Sequence, residues 1–361
     1  MKYKNIQLKD VADIVMGQSP KSVFYNTDGK GIPFLQGVRT FGENYPQIDT
    51  WTTSYNRKAK SGEILFSVRA PVGRVNWANQ DLAVGRGLAT LKIKSGYSKE
   101  YLYYLFKKIG SHLNSLATGT VFTSINKKEL EALELKIPVN LSDQEKIASY
   151  LQKIDQEIEL NNQINDNLIA ISKAKWLDLL SSTSTTEVVM NKIAKITMGQ
   201  SPKSSTYNTN NEGLPLLNGA TDFRENINPQ RWTSDPKRVV YPNSYIFGVR
   251  ATIGLTTKVY QKYAIGRGTG AATPINIIYD EFLYFYLEDL FKFYSQTGSG
   301  SVYINISKKE FENYKIDVPK ISFIEQFHSE INPLFNQIKN NKLQNITLLQ
   351  IKKDMLNKYF Q

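Results

Sequence analysis

The sequence predicts a mixed α+β protein made of two homologous globules and two long helices that pack on each other as a coiled coil, with pseudo-twofold character. Three observations predict it. The chain repeats itself once, with a period of about 180 residues, which is too long for a solenoid unit and means two homologous domains. Each copy opens with short apolar runs broken by Gly, Pro, Asn and Asp, the pattern of strands. Each copy closes with a heptad run, the pattern of a coiled-coil helix.

The repeat is colinear. Met16-Gly-Gln-Ser-Pro-Lys-Ser-Val-Phe-Tyr-Asn26 recurs as Met198-Gly-Gln-Ser-Pro-Lys-Ser-Ser-Thr-Tyr-Asn208, identical at nine of eleven positions. Pro33-Phe-Leu-Gln-Gly37 recurs as Pro215-Leu-Leu-Asn-Gly219, Trp51-Thr52 as Trp232-Thr233, and Val68-Arg-Ala70 as Val249-Arg-Ala251. Gly85-Arg-Gly87 matches Gly266-Arg-Gly268, and Gly119 to Glu129 matches Gly300 to Glu310. One-residue slips separate the matches, as short loop deletions between two copies of one fold would leave them.

Within the globules, Ile64–Val68 and Leu88–Ile93 read as strands, as do Tyr245–Val249 and Ala271–Ile278 in the second copy. Apolar residues at helical spacing predict a helix over Lys99–Leu116, with a counterpart at Glu281–Tyr294. After Pro138 and Pro319 the period changes. The seam Ile147, Leu151, Ile154, Ile158, Asn161, Asn165, Leu168 aligns with Phe327, Ile331, Leu334, Ile338, Asn341, Asn345, Leu348 in the second copy. A helix over Gln144–Leu180 would be roughly 55 Å long. Paired seam asparagines weaken a coiled coil but fix register and partner; the alternative is that they are merely tolerated at a solvated end. The polar run Ser181–Thr186 reads as the linker that ends the first helix.

Composition narrows the function. The 361 residues are 41% hydrophobic and 22% charged, which fits an ordered globular protein. Lys and Arg number 45 against 33 Asp and Glu, a net charge of +12 that points to a polyanion such as nucleic acid, or to an acidic membrane surface. The excess divides evenly between the halves and concentrates in the globules. No cysteine is present, so disulfides, Cys-ligated zinc, iron–sulfur clusters and thiol catalysis are excluded. His112 and His328, the two histidines, cannot build a His-rich metal site, and each reads as a packing or surface residue. No apolar run is long enough to span a bilayer. Asp10 and Asp13 fall where a signal peptide needs an apolar core, so a cytoplasmic location is expected.

Enzymatic signatures are missing. No two prolines are adjacent, so the Asn/Asp-Pro-Pro-aromatic motif of adenine and cytosine methyltransferases is absent. Gly29-Lys30 is followed by Gly31 and not by Ser or Thr, so it is no Walker A loop. No Pro-Asp pair supplies the usual nuclease signature, and Gly266-Arg-Gly-Thr-Gly270 reads as a turn. What the chain does carry is matched loop cations: Lys21 with Lys203, Arg69 with Arg250, Arg86 with Arg267, and Lys127-Lys128 with Lys308-Lys309. Cations neutralise phosphate, and Arg also reads guanine edges. Solvated surface charge is the plainer reading of any single lysine, and a structural ion pair is the alternative for Arg69 and Arg86. Loops that differ between copies are the better candidates for base reading. Val38-Arg39 to Asn44 has become Ala220 to Asn226, with Arg224, and Arg57-Lys58 has become Lys237-Arg238.

These residues resemble the DNA specificity subunit of type I restriction–modification systems. The carriers are Gly17-Gln-Ser-Pro20 and Gly199-Gln-Ser-Pro202, Lys127-Lys-Glu-Leu130 and Lys308-Lys-Glu-Phe311, Ile137-Pro138 and Val318-Pro319, then Gln144-Glu145 and Glu325-Gln326. Each motif is short; their doubled order over the whole chain is specific. The resemblance implies two target recognition domains, expected at residues 1–140 and 188–320, each reading half of a bipartite asymmetric site in double-stranded DNA. It implies an antiparallel coiled coil from helices expected at 141–180 and 321–361, with a linker at 181–187. That coiled coil would act as a ruler, with a ceiling on the order of 16 base pairs at 3.4 Å each. Two modification (methyltransferase) subunits would dock on it, and restriction subunits would join them. S-adenosylmethionine, ATP and Mg²⁺ would belong to those partners, and this chain would bind no cofactor or metal. Two other readings stay open on the residues alone: a stand-alone restriction or modification enzyme, and a coiled-coil adaptor without a DNA role.

Overall fold

The structure, a computed structural model, describes residues 1–116, 124–223, 227–249, 255–297 and 307–360. It forms two compact units: Met1–Leu160 with Leu343–Gln361, and Asn161–Lys342. Each unit is one mixed α/β lobe walled by a segment of both long helices. The lobes share one topology. In the first, a four-stranded antiparallel sheet runs in the order Ala12–Met16, Leu88–Ile93, Ile64–Ser67, Val75–Trp77. In the second, the order is Ala194–Met198, Thr269–Pro274, Tyr245–Gly248, Thr256–Lys258. Beside it in each lobe lies a five-stranded sheet of very short strands, with a single parallel pair, Ile32–Leu35 on Leu82–Val84 and Leu214–Leu217 on Tyr263–Ile265. A two-stranded ribbon, Tyr3–Gln7 with Glu134–Pro138 or Thr185–Val189 with Lys315–Pro319, leads to or from the long helices.

Helix Lys99–Leu116 buries Tyr101, Leu102, Leu105 and Phe106 against Ile64, Phe66, Ala89 and Leu91 of the sheet. Its counterpart Asp280–Thr297 buries Phe282, Leu283, Leu287 and Leu290 in the same way. The strand expected at Ala271–Ile278 stops at Pro274. Proline ends the ladder because it has no amide to donate, and Asn276 then accepts from the Ile278 amide to start a 3₁₀ turn over Ile277–Tyr279. The run expected as a linker at 181–187 is largely regular: the helix continues to Ser182 and a strand begins at Thr185. The β-branched Thr185, Thr186, Val188 and Val189 favour that strand.

The central helix spans Leu141–Ser182 and the C-terminal helix Ile321–Tyr359. At 42 residues the central helix is about 63 Å long. Gln144 is buried where it begins, its amide donating to the Pro138 carbonyl at 2.9 Å and accepting from the Ser98 amide at 3.0 Å. The helices run antiparallel. In the first unit Asp155 meets Lys352 at 2.5 Å, and in the second Lys175 meets Glu330 at 2.7 Å. Along the seam Ile147, Leu151, Phe327, Ile331 and Ile338 are buried, and Ile154, Ile158, Leu168, Leu334 and Leu348 half-buried. Asn161, Asn165, Asn341 and Asn345 are buried too, and Asn341 donates to Asn165 Oδ1 at 2.9 Å.

The helix ends complete each lobe's core. Phe360 stacks on Tyr101 at 4.8 Å in the first unit, and Trp176 stacks on Phe285 at 5.7 Å in the second. Burying such a side chain is worth roughly 2–3 kcal/mol. Trp176 thus closes its own lobe. The junctions differ in chemistry. Lys352 and Asp155 form a nearly buried ion pair that Tyr104 joins by donating to Asp155 at 2.7 Å. The matching places in the second unit hold Ser172 and Phe335, and Phe335 packs on Phe285. Lys352→Ala therefore strands a buried carboxylate and is expected to destabilise the protein by about 3 kcal/mol in chemical denaturation. Lys315→Ala, at the exposed pair with Glu187, is expected to change stability by less than about 1 kcal/mol.

Candidate nucleic-acid interface

The loops that carry the matched cations are held by backbone contacts that only glycine permits. The Gly17 amide donates to the Leu88 carbonyl at 2.8 Å and the Gln18 amide to the Val84 carbonyl at 2.9 Å. A Cβ on Gly17 would lie 2.2 Å from the Gly85 carbonyl oxygen. Ser19 Oγ donates to Gln36 Oε1 at 2.9 Å and accepts from the Arg86 amide at 3.1 Å. The Gly87 amide donates to the Gln36 carbonyl at 3.1 Å. Three loops, Gly17–Lys21, Gln36–Thr40 and Gly85–Gly87, are thereby locked together. The second lobe repeats the lock: Ser201 Oγ reaches Asn218 Oδ1 at 3.1 Å, the Arg267 amide reaches Ser201 Oγ at 3.2 Å, and a Cβ on Gly199 would lie 2.0 Å from the Gly266 oxygen. The Gly-Arg-Gly segments are turns serving close backbone approach, not phosphate cradles.

This lock gathers some predicted residues and leaves others apart. The Arg57 carbonyl accepts the Val84 amide beside the Gly85 turn, and the Val68 amide donates to the Gly87 carbonyl, placing Arg69 next to it. Lys21, Arg39, Arg57, Arg69 and Arg86 thus share one loop cluster, all exposed. In the second lobe Lys203, Arg238 and Arg267 occupy the same places, also exposed, with the Arg238 carbonyl accepting the Ile265 amide. Arg224 and Arg250 lie outside the described residues, as do Gly119–Thr123, Gly300–Ile306 and the side chain of His112. Lys21, Arg57, Arg86, Lys203, Arg238 and Arg267 form no ion pair among the described residues.

Other cations are engaged. Lys58 pairs with Asp81 at 2.8 Å and Lys237 with Asp235 at 2.6 Å. Arg39 grips Asp49 through both terminal nitrogens, at 2.7 and 2.9 Å, which holds that carboxyl below the usual carboxylate range. Lys127-Lys128 and Lys308-Lys309 open short helices, where Lys127 pairs with Glu131 and Lys308 with Glu312. Their motif recurs for a reason of folding: Asn126 with Glu129, and Ser307 with Glu310, form reciprocal capping boxes. His328 Nδ1 lies 2.5 Å from the fully buried Glu281 carboxylate, which also accepts from Asn332, so it is a packing residue.

Sequence reasoning missed Gln36, Asn218, Asp49, Gln230 and Arg231. A polar cavity of about 420 Å³ in the second lobe is lined by Asn218, Thr221, Asp222, Gln230 and Arg231, with Tyr207 at its wall. The one signal within reach was the exchange of Gln36 for Asn218 inside an otherwise matched motif. Among the described residues no group of His, Asp and Glu side chains is arranged to hold a metal ion, and no helix is long and apolar enough to cross a membrane.

Each lobe thus carries one exposed cationic loop cluster on the same α/β scaffold. The sequence profile of the type I restriction modification DNA specificity domain matches residues 1–169 and 185–348. The chain belongs to that family, the non-catalytic specificity subunits of type I restriction–modification systems. A putative type I restriction enzyme MjaX specificity subunit of Methanocaldococcus jannaschii is 40% identical over 168 residues, 46% of this chain and 39% of that relative's length. The type I restriction enzyme MjaIX specificity subunit of the same organism is 24% identical over 98% of this chain and 91% of its own. The crystal structure of a type I restriction-modification system S subunit from M. genitalium matches with a TM-score of 0.60 at 19% identity, over 100% of this chain and 96% of that one, a likeness of fold.

The lock makes a direct prediction. Gly17→Ala forces backbone apart and is expected to cost about 1–3 kcal/mol in thermal or chemical unfolding. Gly37→Ala, where an added Cβ meets nothing within 4 Å, is expected to stay within about 0.5 kcal/mol of the parent.

Proposed function

We propose that each lobe reads one half of a bipartite, asymmetric double-stranded DNA site, while the antiparallel helix pair sets the spacing and docks two modification subunits that restriction subunits then join. The observation that carries this reading is the loop cluster built twice, with unpaired cations at matched positions and different side chains around them. Phosphate contacts need cations without acidic neighbours, and Lys21, Arg57 and Arg86 in one lobe, with Lys203, Arg238 and Arg267 in the other, meet that need. Lys128 and Lys309, exposed on the short helices Lys127–Glu131 and Lys308–Glu312, are further phosphate candidates. Methyl transfer and cleavage fall to the partners, which accords with the missing catalytic motifs.

The test is methylation mapping by single-molecule sequencing in cells that express this chain with the methyltransferase of its own system. A split, adenine-methylated motif that vanishes when this chain is omitted is the expected result; methylation without a bipartite motif would refute the reading. On the purified complex, Arg86→Ala or Arg267→Ala is expected to weaken binding to all duplexes alike. Each should also reduce the slope of log affinity against log salt by about 1.

A further inference from the structure

The two lobes hold different side chains at one structurally matched place, and the chemistry of the difference is specific. In the first lobe Arg39 stands on the 3₁₀ turn Val38–Thr40, and Asp49 lies two residues before the strand Trp51–Thr52. In the second lobe the same turn is Ala220–Asp222 and the same strand Arg231–Thr233, so the matched residues are Thr221 and Gln230. They are neighbours in both lobes: Arg39 and Asp49 are joined by a two-pronged ion pair, and Thr221 and Gln230 line one cavity. The loops beneath them are locked to the Gly-Arg-Gly turns by the same serine and amide contacts in both lobes. The wall differs as well. Tyr25 packs on Phe34 at 4.7 Å, whereas Tyr207, facing the smaller Leu216, carries the Arg231 guanidinium at 6.0 Å.

We propose that this pair of positions discriminates bases: Arg39, oriented by Asp49, selects a guanine in one half-site, and Gln230, beside Thr221, selects an adenine in the other. The proposal rests on the DNA-reading function above and deepens it. A guanidinium held through both terminal nitrogens by a carboxylate still has N–H donors free, in a fixed plane, and that fork fits guanine O6 and N7. Asp49 Oδ1 also accepts from Thr50 Oγ1, which fixes the carboxylate that fixes the arginine. Gln230 Nε2 donates one hydrogen to the Asn228 carbonyl at 3.1 Å; its second N–H and its Oε1 leave one donor and one acceptor side by side, the complement of adenine N7 and N6. Asp222 holds the turn that carries Thr221 by accepting from the Asn218 and Gly219 amides at 2.8 and 3.2 Å.

The experiment transplants one pair into the other lobe and maps methylation in cells that carry the cognate methyltransferase. Arg39→Thr with Asp49→Gln is expected to lower the guanine preference at one position of the first half-site by about tenfold or more, in favour of adenine, and to leave the other half-site as it was. Thr221→Arg with Gln230→Asp is expected to move one position of the second half-site from adenine to guanine. All four side chains project from exposed loops or line an open cavity, and none belongs to either core. An unchanged motif at parental methylation, a change in both half-sites from one transplant, or loss of all methylation from both transplants would each overturn the proposal. A parent that writes no bipartite motif would instead bring down the DNA-reading function itself, so the two failures are distinguishable.

Discussion

Neither lobe has a complete core without the two long helices. The first takes Ile147 and Leu151 from the start of the central helix and Phe360 from the end of the other; the second takes Trp176 from the end of the central helix and Phe327 and Ile331 from the start of its partner. Each compact unit therefore contains segments from distant parts of the chain. Antiparallel pairing is what delivers the correct segments to each. Buried asparagines in the seam give that pairing a polar requirement that a slipped register would leave unmet, since a buried amide without a partner costs more than its hydrogen bond returns.

On that frame the loops divide into two kinds. Gly17, Gly85 and Gly87, with their counterparts, admit backbone contacts too close for any side chain, and Ser19 and Ser201 tie the Arg86 and Arg267 turns to the neighbouring loop. The glycines recur because the close approach leaves no room for a Cβ. Around them stand exposed positions that differ between the lobes, Arg39 against Thr221 and Asp49 against Gln230. Repetition inside one chain thus separates the positions the fold requires from those it does not, a distinction that a single lobe would not offer.

Much of this was legible in the sequence, for physical reasons. The helix Lys99–Leu116 and the strand Leu88–Ile93 have strong periodicity and clear flanks, and they stand at those residues. Lys127-Lys128 and Lys308-Lys309, expected in loops, stand instead on short helices started by the capping boxes at Asn126 and Ser307. Strands of two residues, such as Tyr25–Asn26 and Lys58–Ala59, carry no readable period and were not anticipated. Pro274 was visible, but its effect on the end of a strand was outweighed by the apolar run beyond it. The Arg39–Asp49 pair brings together two loops whose closeness depends on tertiary folding, so composition could mark Arg39 as a candidate without finding its partner. The ion pair Lys352–Asp155, against Ser172 and Phe335 in the other unit, was hidden for the same reason.

If each loop cluster reads its own half of one DNA site, a probe in each must meet different DNA. Photo-cross-linking tests it most directly: a cross-linking side chain is placed at Arg86 or, separately, at Arg267, and the assembled complex is irradiated on its bipartite duplex. The account requires the probe at Arg86 to mark one half-site and the probe at Arg267 to mark the other. Both probes on the same half, or neither on DNA while the complex remains bound, would contradict it.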